Sequence, residues 1–158
     1  MIYQPTLQSL REHPVPEWYQ NAKLGIFIHW GLYSVPAWAP TGYSIRDLIK
    51  KMSAGEAQIF ESPYAEWYQN NIKLPESQSR QYHEQTYGVD FAYEGFAPIF
   101  NQEIETWDPE SWAVLFKEIG ARYVVLTSKH HDGFLLWQSR HPNPLRANYH
   151  ASRDIVGE

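Results

Sequence analysis

The sequence predicts an α/β fold built around a parallel sheet, and three observations predict it. Leu24-Gly25-Ile26-Phe27-Ile28 and Tyr123-Val124-Val125-Leu126-Thr127 are continuous apolar runs of strand length, the pattern of strands buried on both faces. An amphipathic helix stands directly before the second run. Both runs give way to histidine at their carboxyl ends, in His29-Trp30-Gly31 and in Ser128-Lys129-His130-His131-Asp132-Gly133-Phe134. Strand, long excursion, helix and strand is the order of a right-handed βαβ crossover, the building block of a parallel sheet or a barrel.

The elements follow in order. Pro5, Pro14 and Pro16 interrupt any helical period over residues 1–22, which reads as an irregular lead-in with one helical turn and with Trp18 and Tyr19 ready to pack. After the first strand, Pro, Gly and aromatic residues from Tyr33 to Tyr43 indicate a long ordered loop. Ser44 with Asp47 forms a variant capping box, and Ile45, Leu48, Ile49 and Met52 keep helical spacing, which predicts a helix over 45–52. The polar stretch Glu76 to Tyr87 ends at Gly88, as an exposed helix with a glycine cap would. Residues 89–106 show little periodicity and read as an irregular packed segment. At Asp108-Pro109 a capping side chain precedes proline in the first helical position. Trp112, Leu115, Phe116 and Ile119 then recur at i, i+3, i+4 and i+7 up to Gly120. Ser152 reads as the cap of a further helix carrying Ile155 and Val156, so the domain is expected to be interrupted at 158.

Composition narrows the function classes. With 43% hydrophobic and 20% charged residues, the 158-residue chain has the make-up of one globular domain. A net charge of -5 provides no basic stripe for a phosphate backbone, so nucleic acid is not an expected partner. The chain holds 0 cysteines, which excludes disulfides, thiolate metal sites and a cysteine nucleophile. The apolar run beginning at Leu24 is far shorter than the ~20 residues of a membrane span, and Met1 to Pro16 lacks the apolar centre of a signal peptide. The expectation is a cytoplasmic chain without a membrane partner. The 7 Trp, 11 Tyr and 7 Phe suit sugar faces and crowded cores equally.

Carboxyl ends of parallel strands are where loops converge and sites form, so His29, His130 and His131 are expected to face one mouth. Zinc is a competing reading. Adjacent residues on an extended chain point to opposite faces, however, so His130 and His131 are not expected to ligate one ion. A neutral imidazole donates at one nitrogen and accepts at the other, matching a sugar hydroxyl, which does both. Glu66, beside Trp67 and Tyr68, is either a general acid favoured by desolvation or an exposed acid among packing rings. Asp132 before Gly133 fits a turn residue, and Lys129 either orients a carboxylate or is solvated. No G-x-S-x-G, P-loop or G-x-G-x-x-G string occurs.

Taken together, Trp18-Tyr19, Ala22-Lys23-Leu24-Gly25-Ile26-Phe27-Ile28-His29-Trp30-Gly31, Tyr33-Ser34-Val35-Pro36-Ala37, Glu66-Trp67-Tyr68, Phe96-Ala97-Pro98, Trp107-Asp108-Pro109 and Lys129-His130-His131-Asp132-Gly133-Phe134 resemble, in order, the α-L-fucosidases of glycoside hydrolase family 29. The resemblance implies an incomplete (β/α)8 TIM-like barrel: an arm over 1–17, then the first two β/α units over 18–158, with a long excursion after the first strand. It implies a retaining glycosidase acting on terminal α-L-fucosyl linkages, with no metal and no cofactor. It assigns His29, Glu66, Trp67, His130 and His131 to the fucose hydroxyls, and makes Glu66 a candidate acid/base. The family's nucleophilic aspartate would fall beyond Glu158, so the segment alone is expected to be inactive. The expected partners are a fucosylated glycan or small fucoside and the remainder of the barrel, and a homo-oligomer stays open. A non-catalytic carbohydrate-binding module is the alternative.

Overall fold

A computed structural model describes residues 4–42, 44–55 and 61–158. They form seven helices, α1 (Leu7–Arg11), α2 (Glu17–Ala22), α3 (Ile45–Ser53), α4 (Tyr68–Asn71), α5 (Gln78–Tyr87), α6 (Phe96–Glu103) and α7 (Pro109–Glu118), and two strands, β1 (Gly25–Ile28) and β2 (Tyr123–Leu126). Tyr43, at the end of the predicted loop, and the side chains of Ile45 and Leu48 lie outside the described residues. No helix among the described residues is long and apolar enough to cross a membrane. Packing divides the chain into two compact units, Met1–Phe27 with Pro109–Val125 and Ile28–Asp108 with Leu126–Glu158.

In the first unit β1 and β2 pair, the Arg122 amide donating to the Leu24 carbonyl at 2.9 Å. At the other end of the ladder, in the second unit, the Thr127 amide donates to the Ile28 carbonyl at 3.0 Å. Both indices rise together, so the strands are parallel. A Cβ on Gly25 would be driven into the Tyr123 ring, so only glycine lets that ring lie across β1. Tyr19 packs on the same ring at 5.3 Å between centroids and Trp18 at 6.2 Å.

The lead-in is more regular than expected. Thr6 caps α1, its hydroxyl accepting from the Ser9 amide at 3.2 Å, and α2 begins directly after Pro16. Proline ends one helix and precedes the next without cost, because the first-turn amides have no intrahelical partner. The strands, in contrast, are not buried on both faces: Phe27 is 64% exposed and Val124 and Val125 also face outward. Two strands among the described residues leave a sheet with little to cover it. The α7 stripe forms its helix as its spacing requires, yet Leu115 and Ile119 are exposed, and only Trp112 and Phe116 are half-buried. Spacing sets which residues share a face, whereas a neighbour decides whether that face is buried.

The core of the second unit gathers Leu32, Tyr68, Phe96, Phe100, Phe134 and Leu136 with their neighbours. Phe96, Phe100 and Ile104 recur every four residues, so the segment expected to be irregular holds helix α6. Pro98 falls in the first turn, where its missing N–H costs nothing. Helices α3 and α5 form where expected, Ser44 and Asp47 making the reciprocal capping box and Ser77 and Gly88 bounding α5, but α5 is not the exposed helix expected, since it buries Ser79 and His83. The helix expected from Ser152 is absent. The Ser152 amide donates to Asn101 at 2.8 Å, the Ile155 amide to the Leu136 carbonyl at 3.0 Å, and Asp154 closes a turn on Gly157. Arg153 adds a second tie, donating to the carbonyls of Ile104 at 2.6 Å and Trp107 at 2.8 Å, groups left open where a helix ends.

Candidate active site

Every sequence-predicted site residue lies in the second unit. His29 follows β1 and is exposed; its ring centroid is 5.5 Å from that of His130. The His130 and His131 rings meet edge-on at 4.7 Å, and Trp67 lies 5.2 Å from His131. The three imidazoles and the indole therefore form one continuous cluster. The expectation that His130 and His131 point apart is wrong, because the backbone there turns instead of extending. The Gly133 amide donates to the His130 carbonyl at 3.1 Å, with Gly133 at φ 78°, a left-handed conformation that favours glycine. Lys129, weighed as an orienting cation, is exposed.

Glu66 and Trp67 occupy a single tight turn, Ala65–Trp67, held from behind by Tyr68. Tyr68 is fully buried, and its hydroxyl donates to His83 Nδ1 at 3.0 Å while His83 Nε2 donates to the Phe91 carbonyl at 2.7 Å. Because the carbonyl can only accept, the tautomer of His83 is set and its ring is fully used. Asn71 ties the same segment forward, exchanging two bonds with the Ser62 backbone at 2.9 and 2.8 Å. Glu66 is half-buried and Trp67 is 41% exposed, so the turn presents a carboxylate and an open aromatic face.

Three further residues belong to this cluster. Tyr33 is buried, with its ring 5.3 Å from His130. Burial pushes its phenol well above the usual range, and the charges of Asp132 and Glu66 add to the shift. Burial also lowers the His130 pKa, assisted by His131 and His29 and opposed by Asp132 and Glu66. The Tyr33 hydroxyl and His130 Nδ1 are buried with no hydrogen-bond partner among the described residues. Such groups are costly unless something bonds them. Asp132 is buried and accepts from the Tyr93 hydroxyl at 2.8 Å and the Phe134 amide at 3.0 Å. The second of these bonds is the turn contact expected of an aspartate before glycine. The first joins residues far apart in sequence, and no local pattern announces it.

Comparison with known proteins now bears on this cluster. A family model described as alpha-L-fucosidase matches residues 1–158. The chain belongs to the alpha-L-fucosidase family. The alpha-L-fucosidase of Dictyostelium discoideum is 38% identical over 160 residues, covering 99% of this chain and 30% of its own length. The tissue alpha-L-fucosidase of Bos taurus is 37% identical over 161 residues, with 99% and 28% covered. Among solved structures, the Thermotoga maritima alpha-fucosidase superposes with a TM-score of 0.81 at 45% identity, over 99% of this chain and 33% of that one. The same bacterial protein, solved in complex with fucose, gives 0.80 at 45% identity, with 99% and 33% covered. The chain thus spans about 30% of the length of the first of these relatives.

Proposed function

We propose that this alpha-L-fucosidase family chain supplies the hydroxyl-binding floor of the sugar site in a retaining glycosidase that hydrolyses terminal α-L-fucosyl linkages. The observation that carries the reading is the continuous cluster of His29, His130, His131 and Trp67, with 5.5, 4.7 and 5.2 Å between successive ring centroids. Neutral imidazoles donate and accept at once, as ring hydroxyls do, and the open face of Trp67 suits the C–H side of a deoxy-sugar. Support also comes from the family match and from the Thermotoga maritima fucosidase solved with fucose. In this reading the chain forms the first two β/α units of a (β/α)8 barrel, β1 and β2 being adjacent and parallel as barrel strands are.

Retention requires two carboxyl groups ~5 Å apart, one attacking the anomeric carbon and one protonating the leaving oxygen. Glu66, half-buried at the edge of the cluster, is the candidate acid/base. Asp132 does not suit the attacking role, since both of its oxygens are occupied by Tyr93 and Phe134. We place the nucleophile outside these 158 residues, as the resemblance to the family implies. The test is release of nitrophenol from an aryl α-L-fucoside by this chain alone and by the chain joined to the rest of the catalytic barrel. Turnover is expected only from the joined protein, and there His131→Ala should lower kcat/KM by about 10- to 100-fold, the loss of a hydrogen bond or two to the sugar. Substantial turnover by this chain alone, or an indifferent His131→Ala, would overturn the reading.

A further inference from the structure

We propose that Asp132, locked by the Tyr93 hydroxyl, is a positioning residue that turns His130 and His131 toward the same side. The inference bears on catalysis only through the site proposed above, but the geometry it describes stands without it.

Sequence neighbours on an extended chain diverge, so two adjacent imidazoles that meet at 4.7 Å need a backbone forced out of extension. Two contacts do this: the Gly133 amide on the His130 carbonyl at 3.1 Å, and the Phe134 amide on Asp132 Oδ1 at 3.0 Å. The second holds only if the carboxyl group is itself held. Its other oxygen, Oδ2, receives the Tyr93 hydroxyl at 2.8 Å, and Tyr93 is buried at the start of the turn leading into α6. Tyr93 packs on Phe96 at 5.8 Å, so the donor belongs to the rigid core of the second unit.

His130 has little else to orient it. Its Nδ1 has no hydrogen-bond partner among the described residues, so the ring is placed by its backbone and by packing against His29, Tyr33 and His131. A rotation of the turn would carry the imidazole with it. Burial raises the pKa of Asp132, and the Tyr93 and Phe134 bonds oppose that rise. Burial also keeps Tyr93 protonated, and therefore a donor. The hydroxyl thus compensates a carboxyl group that would otherwise be buried with one oxygen unanswered.

The test reads histidine ring resonances of the 158-residue chain. Tyr93→Phe removes the donor and keeps the ring; Asp132→Asn keeps the shape but leaves one acceptor oxygen for two donors, the Tyr93 hydroxyl and the Phe134 amide. Both are expected to shift the His130 and His131 ring signals and weaken the contact between the two rings. The double variant should move them no further than Asp132→Asn alone. Tyr87→Phe, the same chemical deletion elsewhere against this core, where the ring packs on Phe91 and Phe96 and touches none of these histidines, should leave these signals in place. Unmoved His130 and His131 rings in folded Tyr93→Phe and Asp132→Asn overturn the proposal. If neither variant folds, the unaltered chain decides: a Tyr93 hydroxyl proton protected from exchange supports the proposal, and a rapidly exchanging one overturns it. No sugar enters the readout, so failure of the fucoside reading and failure of this one are separate results.

Discussion

His130 carries opposing influences on one ring. Burial, His131 and His29 disfavour its charged form, while Asp132 and Glu66 favour it, and the balance lies below the ordinary imidazole value of 6.5. A group that binds its proton more weakly when folded lets the unfolded chain take up more protons, so stability falls with pH once the unfolded imidazole begins to titrate. His130 is thus expected to contribute fully above about 6.5, and that contribution is lost as pH falls toward its folded midpoint. Ring titration by NMR should give a His130 midpoint below 6.5; a midpoint at or above it would contradict the burial argument. The histidines were legible because they stand in short strings at the ends of apolar runs, and Glu66 and Trp67 because a carboxylate sits there among aromatic residues in a string resembling the family's. Tyr33 and Tyr93 were not, since one joins the cluster by packing on His130 and the other by a hydrogen bond to Asp132, and nothing adjacent in sequence distinguishes them from core tyrosines.

Among the elements, α3 shows sequence chemistry at its most local. The Asp47 amide donates to the Ser44 hydroxyl at 3.3 Å, and the Ser44 amide donates to Asp47 at 3.0 Å. Ser44→Ala should cost about 0.5–2 kcal/mol of local stability, read as faster hydrogen exchange over the first turn of α3. Unchanged exchange there would mean the box carries no weight. Strand β1 follows a different logic, because its tolerance depends on a ring from β2. Gly25→Ala would force the Tyr123 ring off the strand, at about 1–3 kcal/mol for overpacking. Gly25→Ala with Tyr123→Ala should recover part of that loss in thermal denaturation, and full additivity would dissociate the two residues. Helix α6 escaped the sequence reading because residues 89–106 as a whole show little periodicity, and the four-residue spacing of Phe96, Phe100 and Ile104 stands out only once the core is known.

At the scale of the whole molecule, apolar surface is left uncovered in the first unit. Phe27, Val124 and Val125 on the strands, and Val114, Leu115 and Ile119 on α7, are all exposed. Exposed apolar groups and open strand edges favour association. The chain is therefore expected to enhance the fluorescence of a hydrophobic dye and to sediment with concentration-dependent mass. A monomer at all concentrations with no dye response would show that this surface is dispersed too thinly to matter.

By itself the sequence determined what is local: the position of both strands, the capped helices α3, α5 and α7, and the string in which each site histidine sits. These depend on backbone preference, capping chemistry and the spacing of apolar residues, which act over a few positions. Only the tertiary structure decided that His130 and His131 face one another, that Tyr33 lies against His130 and Tyr93 holds Asp132, and that Ser152 joins a turn and not a helix. Those outcomes rest on hydrogen bonds and packing between residues distant along the chain, and such contacts leave no period or motif to read.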